Sequence, residues 1–497
     1  MKKNINHKRI RTFIYGFAFV ISILCTSQCF AQSSTKKDTK ASSFQYMKKL
    51  NNVFDYVQQN YVDEIDPSVL YEGALKGMLE ALEDPYTLYL DSDYMRDLQD
   101  TTAGNFGGVG LSISKPLENK ADKPAYVEVA YPIDDSPGAK AGIQAGDLLI
   151  AVEGQPTDEM SMNDVLDVLR GEIGTPVTVT VQRGANMKFD VKLVRALIEV
   201  PTAKYGMIEG TKTGYVRLIE FTPETPNRLQ DALDSFEQEG FDSLIIDVRD
   251  NPGGLITSVV NVVDKFIDEG VIVSTKSRVL FENHEFLATP DKTTFTKKVP
   301  IVILINRGSA SASEILSGAL KDYHLAYLVG EKTYGKGSVQ QVIPLSNTDG
   351  FKMTTARYYT PSDVNIDKIG IPPDLEIKNF FIPKEQEDVY VKLVESGELE
   401  KLAKENSNMT EAEIAKAAEE LAKTYPIDLR ILRRLIRVQA KKAQSAALYD
   451  MDYDIQLQEA LKIVQRPDFF DLVKNTKTLK ELQEEAEQKA AETQEEE

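Results

Sequence analysis

Histidine is nearly absent from this chain. There are three in 497 residues, and His7 lies in what reads as an export signal, leaving His284 and His324. A serine hydrolase built on a histidine base has little to draw on here. Cysteine is as scarce: Cys25 and Cys29 both fall within the first 31 residues, so a chain cleaved after them holds no disulfide and no thiolate metal site. Positive charge is also short, with 58 Lys and Arg against 77 Asp and Glu, a net charge of −19. Such a surface repels nucleic acid phosphates, and no nucleic-acid partner is expected. Beyond the N-terminus no segment is long and apolar enough to cross a bilayer.

What is present begins with a signal. Lys2, Lys3, Lys8, Arg9 and Arg11 precede the apolar stretch Phe13 to Leu24, and Cys29 and Ala31 stand three and one residues before a cut at Gln32. Residues 1–31 read as a secretory signal peptide, with an uncleaved membrane anchor as the rival. Neither cysteine follows the small residue a lipoprotein signal wants. Cleavage would remove five cations and no anion, moving the net charge from −19 to −24. The remaining length suffices for two or three domains, and 42% apolar content is that of a globular protein.

Residues 32–102 open with a polar stretch. Met47, Leu50, Phe54 and Val57 then recur at helical steps, and Asp66-Pro67 starts a second helix that ends near Asp84-Pro85. This hairpin packs either on a core or on a partner subunit. Residues 103–197 are strand-rich, with Val177, Val179 and Val181 alternating and one short helix from Ser161 to Arg170. Residues 198–380 turn α/β: Ser243 to Val248 and Val299 to Ile305 are buried strands, each followed by a glycine loop and a helix. Residues 381–480 are helical and charged. Residues 481–497, eight glutamates against Lys489, are expected to be a solvated, frayed tail.

The chemistry gathers in two loops. Gly308-Ser309-Ala310-Ser311-Ala312-Ser313-Glu314 follows the second buried strand, and Lys336 stands between Gly335 and Gly337 some way downstream. With histidine scarce, a serine attacking a carbonyl here would take lysine as its base. The amine must then be neutral, which burial favours. Ser311 and Glu314 also have capping-box spacing, so the serine can simply cap its helix. Gly253 and Gly254, between strand and helix, can offer bare N–H groups that join the Ala312 amide around an oxyanion, or can form only a tight turn. Gln340 shares a strand face with Lys336, but full extension leaves the two too far apart, so a bend must close the gap if Gln340 orients the amine.

Several motifs resemble the carboxyl-terminal processing (tail-specific) proteases. They are Ser309-Ala310-Ser311-Ala312-Ser313-Glu314, Val329-Gly330-Glu331, Thr333-Tyr334-Gly335-Lys336-Gly337, Arg357-Tyr358-Tyr359-Thr360-Pro361-Ser362, Asp247 through Gly254, and Leu82-Glu83-Asp84-Pro85-Tyr86-Thr87. The match spans roughly residues 44–380. It implies an α/β protease core of the ClpP/crotonase-like type with an inserted, mostly β PDZ domain and helical N- and C-terminal regions. It implies Ser311 as nucleophile, Lys336 as base, Gln340 as its orienter, and oxyanion donors at Gly253 or Gly254 and Ala312. Glu314, Asp322 and Thr333 match motif positions with supporting roles.

Residues 103–197 would be the PDZ domain, binding substrate C-termini at Gly108, Val109, Gly110 and Leu111, with a tail added as a strand beside Leu111 to Ser114. Arg170 either couples tail binding to the active site or is only a cation at a helix end. The expected partners are protein substrates held by their C-termini. An adaptor protein, a homodimer and a peripheral or N-terminally anchored membrane association stay open, as does residence in a bacterial periplasm or cell envelope. No cofactor and no metal is implied. Asp363 and His324 depart from the pattern, standing where glycine is common, and a relay from His324 to Asp322 is disfavoured. Two rival readings remain: an inactive PDZ scaffold that captures tails, and a crotonase-like acyl-transfer enzyme for small molecules.

Overall fold

The computed structural model describes residues 42–496 apart from 93, 97, 99–103, 117–118, 120–123, 134, 145, 185–186, 379–381, 407–408 and 441–447. The expected signal lies outside the described residues. Helices Ser43–Asn60 and Pro67–Glu80 come first, and Asp66 accepts from the Ser68 N–H at 2.9 Å where the second begins. No residue of either helix is buried.

The chain enters the small β domain through Asn105–Gly108 and leaves it through Ala196–Glu199, and these two strands pair antiparallel. Between them runs a sheet ordered Leu111–Ser114, Val127–Pro132, Leu148–Val152, Pro176–Arg183, Met187–Val194, with Gln155–Pro156 paired to its middle strand. The period-two valines behave as their alternation requires: Val177, Val179 and Val181 are fully buried with Val127, Val129 and Leu149. Helix Met162–Leu169 closes this core with Val165 and Leu169, and Ser161 Oγ caps it by accepting from Asp164 N–H at 3.1 Å.

A second sheet carries the site. Its order is Ala203–Met207, Thr213–Leu218, Ser243–Asp247, Ile301–Ile305, Tyr327–Gly330, Leu375–Glu376, parallel except for the first pair. Every residue of Ser243–Asp247 and Ile301–Ile305 is buried, as expected of parallel strands covered on both faces. Helices Thr225–Glu239, Ile256–Val263 and Ala312–Asp322 pack on one face, against Leu244, Ile246, Ile303 and Ile305. The other face, Ile245, Val302, Leu304 and Val329, is covered by Leu457, Ala460, Val464, Phe469 and Val473 from helices Ile455–Val464 and Phe469–Lys474.

The C-terminal helical region is therefore not one unit. Helices between Glu387 and Ala440 form their own cluster around Leu393, Ile414, Ile431, Leu432 and Ile436, whereas the helices after 454 complete the sheet. The acidic segment expected to fray is helical from Leu479 to Glu496. Leu479 and Leu482 pack against the core, Thr478 Oγ1 accepts from Glu481 N–H at 3.3 Å, and Asp322 Oδ1 accepts from Leu479 N–H at 2.8 Å. Those contacts hold the first turn, and Glu484, Glu487 and Glu492 beyond it are exposed.

A five-stranded antiparallel sheet flanks the site. Leu88–Leu90, Gly350–Tyr359, Val271–Lys276 and His284–Leu287 follow in order, with Ser338–Pro344 also on Gly350–Tyr359.

Candidate active site

Ser311 is the last residue before helix Ala312–Asp322 and has φ 55° and ψ −115°, a conformation that costs a side-chain-bearing residue on the order of 1–3 kcal/mol. Such strain persists only where the surroundings over-determine it, and two loops do so. Ala310 N–H and the Ser313 hydroxyl both donate to Asn251 O, at 3.0 and 2.9 Å. Asn306 Oδ1 accepts from Asp250 N–H and Gly308 N–H, each at 2.9 Å, and the Ser309 hydroxyl donates to Val248 O at 2.7 Å. The buried Tyr358 hydroxyl donates to Ser311 O at 3.2 Å. Ser311 and Glu314 do face each other as capping-box partners, but the bond made is from Ser311 N–H to Glu314 Oε2, 2.9 Å, and the Ser311 hydroxyl makes no cap hydrogen bond.

Glu314 is fully buried and ties the serine loop to the lysine loop. Oε1 accepts from the Thr333 hydroxyl at 2.6 Å and from Gly335 N–H at 2.8 Å, while Oε2 accepts from Ser311 N–H and Lys336 N–H, both at 2.9 Å. Burial pushes its carboxyl above the ordinary value despite the four donors. Thr333 Oγ1 in turn accepts from Ile371 N–H at 2.7 Å. Gly337 has to be glycine, because a Cβ there would come within 2.5 Å of Asp367 N.

The Lys336 amine is partly buried and makes no hydrogen bond or ion pair among the described residues. It sits 5.1 Å from the centre of the Tyr86 ring, and no hydrogen bond joins it to Ser311. Burial and then the charge of Lys352 hold its pKa below the ordinary lysine value, against the opposing pull of Glu314. Gln340 is not brought to it. A bulge between Val339 and Gln340 does bend the strand, but the amide donates to Ser338 Oγ at 2.9 Å and Thr354 Oγ1 at 3.2 Å.

The two glycines separate clearly. Gly253, at φ 105°, packs so closely that a Cβ would lie 2.7 Å from Ser311 Cβ and 2.9 Å from Ala312 N. Its own N–H is engaged, donating to Asn251 Oδ1 at 2.9 Å. Among the described residues the N–H groups of Gly254 and Ala312 have no acceptor. In the small β domain the N–H groups of Val109 and Gly110 are likewise free among the described residues. Gly108 ends the entry strand, and Leu111 starts a strand that among the described residues pairs only with Val127–Pro132. Arg170 lies over the Phe106 ring at 5.2 Å.

Asp322 takes Ser362 N–H at 3.0 Å as well as Leu479 N–H, while His324 Nδ1 meets Thr476 Oγ1 at 3.2 Å, so no relay joins them. Both departures from glycine fall in the left-handed region that glycine favours, with φ of 51° at His324 and 63° at Asp363, and Asp363 pairs with Lys276. Sequence reasoning missed the buried network at the sheet end. Arg249 holds Asp247 and reaches Asp454 Oδ1 and Oδ2 at 2.8 and 2.6 Å and Gln456 Oε1 at 3.0 Å. Burial works against the Asp247 carboxylate, but Arg249 and the Tyr215 hydroxyl keep its pKa below the ordinary value. The Asp247-Val248-Arg249 spacing hinted at such a pair; nothing local marked Asp454. Among the described residues, no three His, Cys, Asp or Glu side chains gather to hold a metal.

Comparison with known proteins gives the class first. Residues 212–377 match the model of peptidase family S41, residues 128–183 a PDZ domain and residues 16–94 the activating protease CtpB N-terminal domain. The protein is a serine-type peptidase. The carboxy-terminal-processing protease of Bartonella bacilliformis is 37% identical over 376 residues, 75% of this chain and 83% of that one. The carboxy-terminal processing protease CtpA of Bacillus subtilis is 31% identical over 367 residues, 73% and 75% of the two chains. Among solved structures, the photosystem II D1 C-terminal processing protease aligns at 31% identity with a TM-score of 0.40, over 68% of this chain and 94% of that one. This chain belongs to peptidase family S41, among the carboxy-terminal processing proteases.

Proposed function

We propose that the protein is an exported endopeptidase that holds substrates by their C-terminal tails in its PDZ domain and cleaves them with a Ser311–Lys336 dyad. The observation that carries this is the Glu314 carboxylate, one oxygen of which, Oε2, accepts from the backbone N–H of both residues. Neutral Lys336 takes the Ser311 proton, and the alkoxide attacks the peptide carbonyl. The Gly254 and Ala312 N–H groups, free of other acceptors, suit the oxyanion better than the engaged Gly253. The ammonium then protonates the leaving amine, and water hydrolyses the acyl-enzyme. For this the amine must leave the Tyr86 ring and reach the serine hydroxyl. Gln340 orients it only if its amide changes partners.

The Val109 and Gly110 amides suit a terminal carboxylate, and the open edge at Leu111–Ser114 suits an added strand. The basic and apolar N-terminus supports export to the cell envelope, cleaved before Gln32 or kept as an anchor. The unburied helices 43–60 and 67–80 suit a second copy of the chain. The unmade Ser311–Lys336 bond favours one second reading, an inactive scaffold that captures tails. Incubating unfolded casein with the protein and with Ser311→Ala and Lys336→Ala separates the two. The dyad requires cleavage by the first alone, and full residual cleavage by either variant defeats it.

A further inference from the structure

The Lys336 amine is not bonded to Ser311, the Gln340 amide is not bonded to Lys336, and one short segment accounts for both. Asp84 Oδ1 accepts from Tyr86 N–H at 3.1 Å, and Oδ2 accepts from the Thr87 hydroxyl at 2.6 Å. Thr87 Oγ1 then accepts from Thr354 N–H at 3.1 Å, and Leu88–Leu90 pairs with the start of strand Gly350–Tyr359. Asp84-Pro85-Tyr86-Thr87 is thereby fastened to that strand. The Tyr86 ring, fixed by this anchor, has the Lys336 amine over it at 5.1 Å, and its hydroxyl is 3.4 Å from that of Tyr334. Thr354, to which the segment is tied, also takes the Gln340 amide on its hydroxyl at 3.2 Å. The amine meant for Ser311 and the amide meant to orient it are thus both held on one unit.

We propose that Tyr86 is a positioning residue that holds the Lys336 ammonium on its ring in the substrate-free enzyme, so that the amine must leave both its proton and the ring before it serves Ser311 as base. The inference rests on the dyad reading. A ring face attracts a cation through its quadrupole and has little hold on a neutral amine. The ring therefore works against burial, which favours the neutral form. Burial also raises the Tyr86 phenol, so the ring carries no charge at neutral pH. Other groups around the amine come from each neighbouring element. Glu314 of helix Ala312–Asp322 draws a proton onto it, and Lys352 of the long strand repels one. Asp84 faces Lys368, and Asp367 takes Gly337 N–H at 3.2 Å and stands 4.0 Å from Arg357. The Tyr358 phenol, raised by burial, donates to Ser311 O. All of these remain when Tyr86 is replaced, and among the described residues none is bonded to the amine.

The test is the pH dependence of kcat/KM for unfolded casein, from about pH 6 to pH 10, because this ratio reports the ionisation of the free enzyme. The full chain is compared with Tyr86→Leu, Tyr86→Met and Tyr86→Phe. Leucine and methionine keep apolar cover without a ring, and phenylalanine keeps the ring without the hydroxyl. The two ringless variants should gain about three- to tenfold on the acid side, the size of one cation–ring contact in a partly buried site. The gain should vanish as pH rises and the amine becomes neutral in every enzyme, and phenylalanine should follow wild type. A second readout needs no catalysis. In Ser311→Ala chains, acetylation of Lys336 by acetic anhydride, followed by mass spectrometry across the same range, should titrate at a lower pH with leucine than with tyrosine. Ringless variants that follow wild type at every pH, or lose the same factor at every pH, overturn the proposal and leave the dyad standing, as does an unshifted acetylation profile. Cleavage by Lys336→Ala would instead remove the dyad and this inference together.

Discussion

Replacing Glu314 with glutamine changes one atom of a buried side chain, and the geometry predicts that it will be nearly as damaging as truncation. Each carboxylate oxygen accepts from two donors: Thr333 and Gly335 on one side, Ser311 and Lys336 on the other. A glutamine amide keeps one oxygen and turns an NH2 group toward the other two donors, whichever way it is flipped. Two buried donors lose their acceptor at about 1–3 kcal/mol each, so the site loses about 2–6 kcal/mol out of the 5–15 kcal/mol that holds a typical fold. Because the two N–H groups belong to the serine and lysine loops, much of that loss should appear as misplaced chemistry, at least about tenfold in kcat/KM for each 1.4 kcal/mol that reaches the transition state. The assay is kcat/KM on unfolded casein across pH, with a thermal melt of each variant. Charge alone argues the other way: Glu314 favours the ammonium of Lys336, so its neutralisation should help the base at low pH. A Glu314→Gln enzyme as fast as wild type, or faster on the acid side, would refute the positional reasoning.

Two further outcomes follow from the same loops and the sheet end. Gly253→Ala should abolish cleavage, since its Cβ would press on Ala310 O at 2.8 Å and Ala312 N at 2.9 Å with φ at 105°; activity and melting temperature measured together will show it. Asp454→Asn should lower stability toward urea by about 1–3 kcal/mol, because Arg249 keeps Asp247 but loses a second charge-assisted partner. Stability should also fall in acid for a defined reason. The Asp247 pKa is lowered in the folded state, so its contribution is present above the unfolded carboxylate value and is lost as pH falls through the folded one. A urea midpoint flat from neutral to about pH 3 would contradict that.

What the sequence made legible was local. Ser311, Lys336, Gly253 and Gly254 stand in short loops between apolar runs, and loop chemistry of that kind is written in adjacent residues. The Val177 to Val181 alternation and the Ser161 cap were readable for the same reason. Gln340 was not, because a bulge at Val339 and the competing hydroxyls of Ser338 and Thr354 decide where its amide goes. The capping reading of Ser311 competed well on spacing alone, and the capping-box arrangement with Glu314 is present in the fold, so spacing could not separate a cap from a nucleophile.

The C-terminal helices show how a global constraint can be present in a sequence without a local mark. Ile301–Ile305 is apolar throughout and Ser243–Asp247 at its three central positions, and all ten residues are buried, so both faces of each strand had to be covered. The helices Thr225–Glu239, Ile256–Val263 and Ala312–Asp322 can cover only one. A second helical layer was therefore required, and helices beyond residue 380 were the ones without an assignment. Their packing on Ile245, Val302 and Leu304 answers that requirement. It also places Asp454, at the cap of the first covering helix, where Arg249 can bind it at the end of the strand that feeds the Gly253 loop. Truncation near residue 450 should on this reasoning strip one face of the sheet and loosen the oxyanion loop with it. A chain ending there that still folds and cleaves casein would mean the sheet can bear an uncovered face.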